Sequence, residues 1–206
     1  MTDPRRDVEL HHADTSRLEA FSDGVFAIAI TLLVIEVSVP HVDEGSLAQA
    51  LRDQWPSYAG YALSFVIIGI MWMNHHAMFR DIERIDHGVN VLNLLLLMCI
   101  SFVPFTTAVL ADYMTDEQHQ LTAVLAYGAN FTITAIAFNG LWLYVTRRPE
   151  FIDEHVSVAR IRARTLRYLP GPFLYAAGIL LAFISTWLSL ALWAGLAVLY
   201  LLPPPD

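Results

Sequence analysis

The sequence predicts an all-α integral membrane protein of six transmembrane helices in one domain, and three observations carry that prediction. First, 56% of the 206 residues are hydrophobic and the mean hydropathy is +0.49, above the apolar share of roughly 45–50% usual in soluble domains. Second, the apolar residues gather into six runs, at about 21–39, 58–78, 89–110, 121–145, 168–184 and 187–202, as a hydrocarbon core about 30 Å thick requires of helices near 20 residues. Third, the chain has no lysine, and eleven of its 12 basic residues fall on one side of that arrangement.

Arg5, Arg6 and Arg17 precede the first run, Arg80 and Arg84 follow the second, and Arg147, Arg148, Arg160, Arg162, Arg164 and Arg167 lie between the fourth and fifth. Only Arg52 sits in a loop on the other side, with Asp43, Glu44, Asp53, Asp112, Asp116 and Glu117. Orientation follows Lys and Arg rather than net charge, so both termini are expected in the cytoplasm of a plasma-membrane protein, despite a formal charge of −8. The acidic outer loops either concentrate cations at an opening or simply solvate short connections.

The N-terminal stretch from Met1 to Ala13 is acidic and polar and holds no apolar signal-peptide segment, so the first span is expected to act as the insertion signal. Within it, Asp23 lies in Phe21-Ser22-Asp23-Gly24 close to Glu19 and Arg17, and Glu36 closes the outer end. With Ile28 set at 0° and about 100° per residue, Thr31 falls near −60°, Leu32 near +40° and Ile35 near −20°. Ser22 and Asp23 point away from that face, towards neighbouring helices, and Gly24 would let another backbone approach. Periodicity alone leaves the Ile28 face as either a bundle core or a pore lining.

The second span ends in Trp72-Met-Asn-His75-His76-Ala-Met-Phe79, which puts Trp72, His76 and Phe79 on one face and His75 about 100° away. Adjacent histidines lack the i,i+4 spacing of a zinc pair, and a structural bond to Asp23 or Ser22 is the expected role; no metal site is expected. The third span carries Asn90, Asn93 and Ser101, then Phe102-Val-Pro104-Phe105-Thr106-Thr107, where Pro104 must kink or end the helix and the threonines can serve freed carbonyls. The lone Cys99 can form no intramolecular disulfide and reads as a small core residue.

In the fourth span, Asn130 and Asn139 are candidates to bridge helices. The stretch from Arg147 to Arg167 reads either as a short amphipathic helix meeting anionic headgroups or as simple positive-inside anchoring. The fifth and sixth runs, separated by Ser185 and Thr186, read as a tight helical hairpin. The second half does not repeat the first-span motif, which gives no support to an inverted-repeat transporter.

The run Arg17-x-x-x-Phe21-Ser22-Asp23-Gly24-x-x-x-Ile28-x-x-Thr31-Leu32-x-x-Ile35 resembles the first-helix signature of the transmembrane protein 175 potassium-channel family. Trp72-x-x-x-His76-x-x-Phe79 and Phe102-x-Pro104-Phe105-x-Thr107 follow the same family's pattern in order, and six spans resemble its prokaryotic branch. The resemblance implies a homotetramer whose first helices line a central pore, passing potassium among monovalent cations, with neither a carbonyl selectivity filter nor a cofactor. It assigns the pore to Ile28, Thr31, Leu32 and Ile35, and a bracing network to Arg17, Ser22, Asp23, Gly24, Trp72 and His76. Isoleucine stands at position 35, where leucine is commoner in the family. Expected partners are further copies of the chain and membrane lipid, not nucleic acid. The competing readings are a secondary ion transporter and an intramembrane metalloenzyme using His75, His76 and His87.

Overall fold

A computed structural model describes residues 4–42 and 45–201, with side chains from residue 15 onward. Asp43, Glu44 and Leu202 lie outside the described residues, as do the side chains of Arg5 and Arg6. Among the described residues the regular secondary structure is helical apart from one isolated antiparallel bridge between Ile82 and Ile152. Its elements are α1 (Pro4–Leu32), α2 (Leu47–Asp53), α3 (Trp55–Phe79), α4 (His87–Ser101), α5 (Val103–Tyr113), α6 (Gln120–Thr146), α7 (Val158–Tyr168), α8 (Pro170–Ala182) and α9 (Thr186–Leu201).

Among the described residues, three stretches are long and apolar enough to cross a membrane: Trp55–Phe79, His87–Tyr113 and Gln120–Thr146. The other predicted spans differ from expectation for separate reasons. Helix α1 has 29 residues, about 43 Å at 1.5 Å per residue, but its first half is charged, so only its second half is apolar enough for lipid. It also stops at Leu32 rather than at 39. Beyond that point the bonds tighten to three-residue spacing, with Ile35 N–H on Leu32 O at 3.1 Å and Val37 N–H on Val34 O at 3.1 Å. The cause is local: Val34, Ile35, Val37 and Val39 are β-branched, and Pro40 biases the residue before it away from helix. Helices α8 and α9 have 13 and 16 residues, about 20 and 24 Å.

Pro104 acts as the sequence requires. Helix α4 ends at Ser101 and α5 restarts at Val103 with the proline in its first turn. The hydroxyls of Thr106 and Thr107 both donate to Val103 O, at 3.1 and 2.9 Å. Asn130 Nδ2 donates to Thr106 Oγ1 at 3.3 Å and Asn139 Nδ2 to Tyr168 O at 3.1 Å, so both amides bridge helices.

Helix α6 is the hub, packed on α4, α5, α8 and α9, while α3 packs on α5, α1 and α9 and α1 leans on α3 and α4. With Trp142 of α6, Trp193 of α9 is among the largest fully buried side chains. Its ring fills space over Gly128 of α6, where an added Cβ would stand 2.5 Å from the indole. Small residues that let helices close up in this way replace the hydrophobic drive that lipid cannot supply.

The two ends of the bundle are chemically distinct. At one end Thr15 Oγ1 donates to Glu83 O at 3.3 Å, Glu83 N–H to Phe151 O at 2.9 Å, and Arg160 and Arg164 of α7 pair with the buried Asp81. At the other, Gln54 Nε2 donates to Ser38 O at 2.9 Å, Trp55 stacks on Trp187, and Thr186 Oγ1 donates to Gln120 Oε1 at 3.0 Å. The arginines from position 17 onward, other than Arg52, therefore share one end. Helix α7 is the amphipathic helix that the sequence allowed, but Arg160 and Arg164 turn to Asp81 and Arg167 to Tyr200 O, so three of its four arginines have partners inside the protein.

Candidate functional site: the two faces of the first helix

Helix α1 divides cleanly along its length. Ser22, Phe26, Ala29 and Leu33 are buried, the three-and-four spacing of one helical stripe. The opposite stripe runs through Arg17, Phe21, Gly24, Ile28, Thr31 and Leu32 and is exposed; Ile28 is 61% exposed and Leu32 40%, against 0% for Ser22. Ile35 is 70% exposed but belongs to the turn that follows the helix, so its direction is set by that turn and not by the 100° step.

On the exposed stripe, Thr31 Oγ1 donates to Ala27 O at 2.9 Å and lies 3.0 Å from Ile28 O. Its single proton is thereby committed to the backbone, and the lone pairs are what it presents outward. Beyond Arg17 the rest of the stripe is hydrocarbon, apart from Gly24, where an added Cβ would meet nothing within 4 Å. The close backbone approach expected at Gly24 is thus not made among the described residues.

The buried stripe is tied down in two layers. In the inner layer Ser22 Oγ donates to Leu18 O at 2.8 Å and accepts from Asn93 Nδ2 at 2.9 Å, and Asn93 Oδ1 lies 2.9 Å from His75 Nε2. Since Asn93 offers only its carbonyl oxygen there, Nε2 must carry the proton. Ser22, His75 and Asn93 are all inaccessible to solvent, and His75 stacks on Phe79 with centroids 4.4 Å apart. In the outer layer Trp72 Nε1 donates to Asp23 Oδ1 at 2.9 Å, and His76 Nδ1 stands 2.7 Å from Glu19 Oε1, at ion-pair distance though not aligned as a hydrogen bond. Trp72 and His76 stack on one another, which joins the two contacts.

Ser22, Asp23, Trp72 and His76 of the expected network therefore come together, with partners that differ from those expected. It is His75, through Asn93, that reaches Ser22, while His76 goes to Glu19. Arg17 is exposed and makes no hydrogen bond or ion pair among the described residues. Asn93 and Glu19 are the members that sequence reasoning did not assign; the signal for Asn93 was an amide alone in the run from Leu92 to Leu97, where an unpaired polar group is costly. Among the described residues no three His, Cys, Asp or Glu side chains converge to hold a metal ion, and the two adjacent imidazoles turn to different partners.

At the α3–α4 corner, Asp86 caps α4 by accepting from Val89 N–H at 2.8 Å and takes the Tyr144 hydroxyl at 2.8 Å. Burial works to raise its pKa, but these two bonds and the Arg148 charge prevail and hold the carboxyl below its ordinary value of 3.8.

A family model described as the endosomal/lysosomal potassium channel TMEM175 matches residues 17–104. A protein of Streptomyces collinus named a potassium channel is 44% identical over 188 residues, covering 91% of each chain. The chicken protein named endosomal/lysosomal proton channel TMEM175 is 32% identical over 117 residues, 52% of this chain and 23% of that one. The crystal structure of a lysosomal potassium-selective channel TMEM175 homolog from Chamaesiphon minutus superposes with a TM-score of 0.82 at 43% identity, covering 91% of this chain and 96% of that one.

Proposed function

The chain belongs to the TMEM175 family of channels, and on that premise we propose that it is a potassium channel, conducting passively through a central pore lined by α1 from each subunit of a homotetramer. The observation that carries the reading is the division of α1: its outward stripe has no partner among the described residues, while the opposite stripe is locked by two layers of polar contacts. An ordinary lipid-facing helix needs no such fixing. A pore helix does, because the width of a channel depends on where each wall stands.

Four copies of the stripe can converge closely at Gly24 and Ala27, where side chains are small; the approach not made among the described residues is then made between subunits. Towards the outer end, rings of Ile28 and Leu32 form apolar constrictions that gate by excluding water. Thr31 between them offers lone pairs to a partly dehydrated cation, and Ile35, in the turn beyond the helix, adds a further ring at the mouth. Ser22, Asp23, Trp72 and His76, joined by His75 and Asn93, hold the wall in place without touching the ion.

The chain forms one channel domain of six spans: the apolar half of α1, then α3, α4 with α5, α6, α8 and α9. The arginine-bearing end and both termini lie in the cytoplasm of the plasma membrane. Passive conduction asks for no nucleophile, metal or cofactor, so the protein acts as no enzyme, and the permeant ion is its ligand. The test is flux: proteoliposomes of the purified protein under a potassium gradient should pass potassium in preference to sodium and protons. Absence of potassium current at both voltage polarities would overturn the proposal.

A further inference from the structure

Of the six arginines between α6 and α8, four are engaged by the protein and two, Arg147 and Arg162, have no side-chain partner among the described residues. Arg147 stands at the cytoplasmic end of a groove between α4 and α6, lined by Leu92, Gly140, Leu143, Tyr144, Arg147 and Arg148. The groove changes character along its length. Leu92 and Leu143 make its walls apolar, and Gly140 keeps it open, since an added Cβ there would meet nothing within 4 Å. At the Arg147 end the lining turns cationic.

Arg148 is prepared for an anion. Its guanidinium lies over the Tyr144 ring, 3.8 Å from the centroid, and Nη1 donates to Tyr144 O at 3.1 Å. That fixes the plane and leaves the other edges of the fork open. The Asp86 carboxylate is occupied by the Tyr144 hydroxyl and the Val89 N–H, which reduces its competition for Arg148. The groove takes no lining residue from α1, although α4, which supplies Leu92, packs on α1 as well as on α6.

We propose that this groove binds one anionic phospholipid per subunit, its phosphate on Arg147 and Arg148 and an acyl chain along Leu92, Gly140 and Leu143. Charge complementarity at one end and an unfilled apolar channel at the other select a lipid over a free anion, which would use only the arginines. The inference rests on the reading that α4 and α6 span a membrane, and not on which ion the pore passes.

The test is native mass spectrometry of the delipidated full chain titrated with phosphatidylglycerol or phosphatidylcholine. Phosphatidylglycerol should be retained at one copy per subunit. Each arginine removed should weaken retention about fivefold, the weight of one basic residue at an anionic surface, so R147Q and R148Q together should nearly abolish it. R162Q, an equal loss of charge on α7, should leave it unchanged. Gly140→Leu, which keeps both arginines and fills the groove, should also reduce it. The proposal is overturned if phosphatidylcholine is held equally, if R162Q matches R147Q, or if millimolar inorganic phosphate displaces the lipid. It is also overturned if Gly140→Leu leaves retention intact, or if it changes the subunit count instead of the lipid count. Because binding is read by mass, failure here leaves the flux test of the channel reading untouched.

Discussion

Replacing Asn93 by leucine strikes the brace at its most buried point. Asn93 is fully enclosed and makes two bonds of 2.9 Å, one to Ser22 and one to His75. Leucine keeps the branch at Cγ and the number of side-chain heavy atoms, and because its two methyl groups are bulkier than the amide, an overpacking cost common to the single and the double variant adds to the polar one. What changes besides is the polar accounting: Ser22 keeps its donation to Leu18 O, but His75 Nε2–H is left buried without an acceptor, which costs about 1–3 kcal/mol. A mid-range loss of about 2 kcal/mol corresponds to roughly a thirtyfold shift towards the loosened helix, since about 1.4 kcal/mol is tenfold. The second substitution sharpens the test. In His75→Phe the ring can still stack between Phe26 and Phe79, and combined with Asn93→Leu it removes both members of the Asn93–His75 pair. Replacing both members of a buried pair by apolar groups is nearly neutral where removing one is not, so the double variant should be more stable than Asn93→Leu alone. Equilibrium unfolding in mixed detergent–SDS micelles reads the difference, and potassium flux reads its effect on the wall. If Asn93→Leu unfolds at the wild-type midpoint, or if the two substitutions simply add, the Ser22–Asn93–His75 chain does not brace α1 and the reasoning fails.

Three further outcomes follow from other parts of the molecule. Ile28→Asn places a polar group on the exposed stripe and should raise potassium conductance or reduce its preference over sodium in proteoliposome recordings, with subunit number unchanged by crosslinking; unaltered current in intact oligomers would remove Ile28 from the pore. Gly128→Ala drives a methyl into the Trp193 ring and should destabilise by about 1–3 kcal/mol, whereas Gly195→Ala, with open space at its Cβ, should stay within about 1 kcal/mol of wild type; equal effects in an unfolding titration would contradict the packing described for α6 and α9. The depressed pKa of Asp86 means that its contribution is complete above 3.8 and is lost as pH falls through the lower folded value. Unfolding midpoints should therefore drop in wild type as pH falls below 3.8 and drop less in Asp86→Asn, when followed by tryptophan fluorescence between about pH 6 and pH 3; parallel curves would assign the acid sensitivity elsewhere.

Much of the candidate site was legible because one helix writes its own geometry into its sequence. The 3.6-residue repeat placed Ile28, Thr31 and Leu32 together and set Ser22 and Asp23 on other sides, and the structure keeps that division. At Ile35 the rule no longer applies, because β-branched residues and Pro40 end the helix at Leu32, although the residue is exposed as the stripe is. The histidines show the other kind of limit. Spacing established that His75 and His76 face different ways, but not which of them would meet Ser22, because that depends on Asn93 arriving from α4.

By itself the sequence determined the helical membrane class, the grouping of arginines at one end, the break at Pro104 and the division of the first helix into two faces. Each follows from composition or from spacing within a few residues, where backbone geometry leaves little choice. Only the tertiary structure decided which stripe of α1 is locked, that Trp72 holds Asp23 while Glu19 holds His76, that most arginines of α7 turn inward, and that an open groove ends at Arg147. Those contacts join residues far apart in the chain, Ser22 to Asn93 across 71 positions and Arg164 to Asp81. In a bilayer each buried polar group must find some partner, and only the packed arrangement of helices determines which one lies within reach.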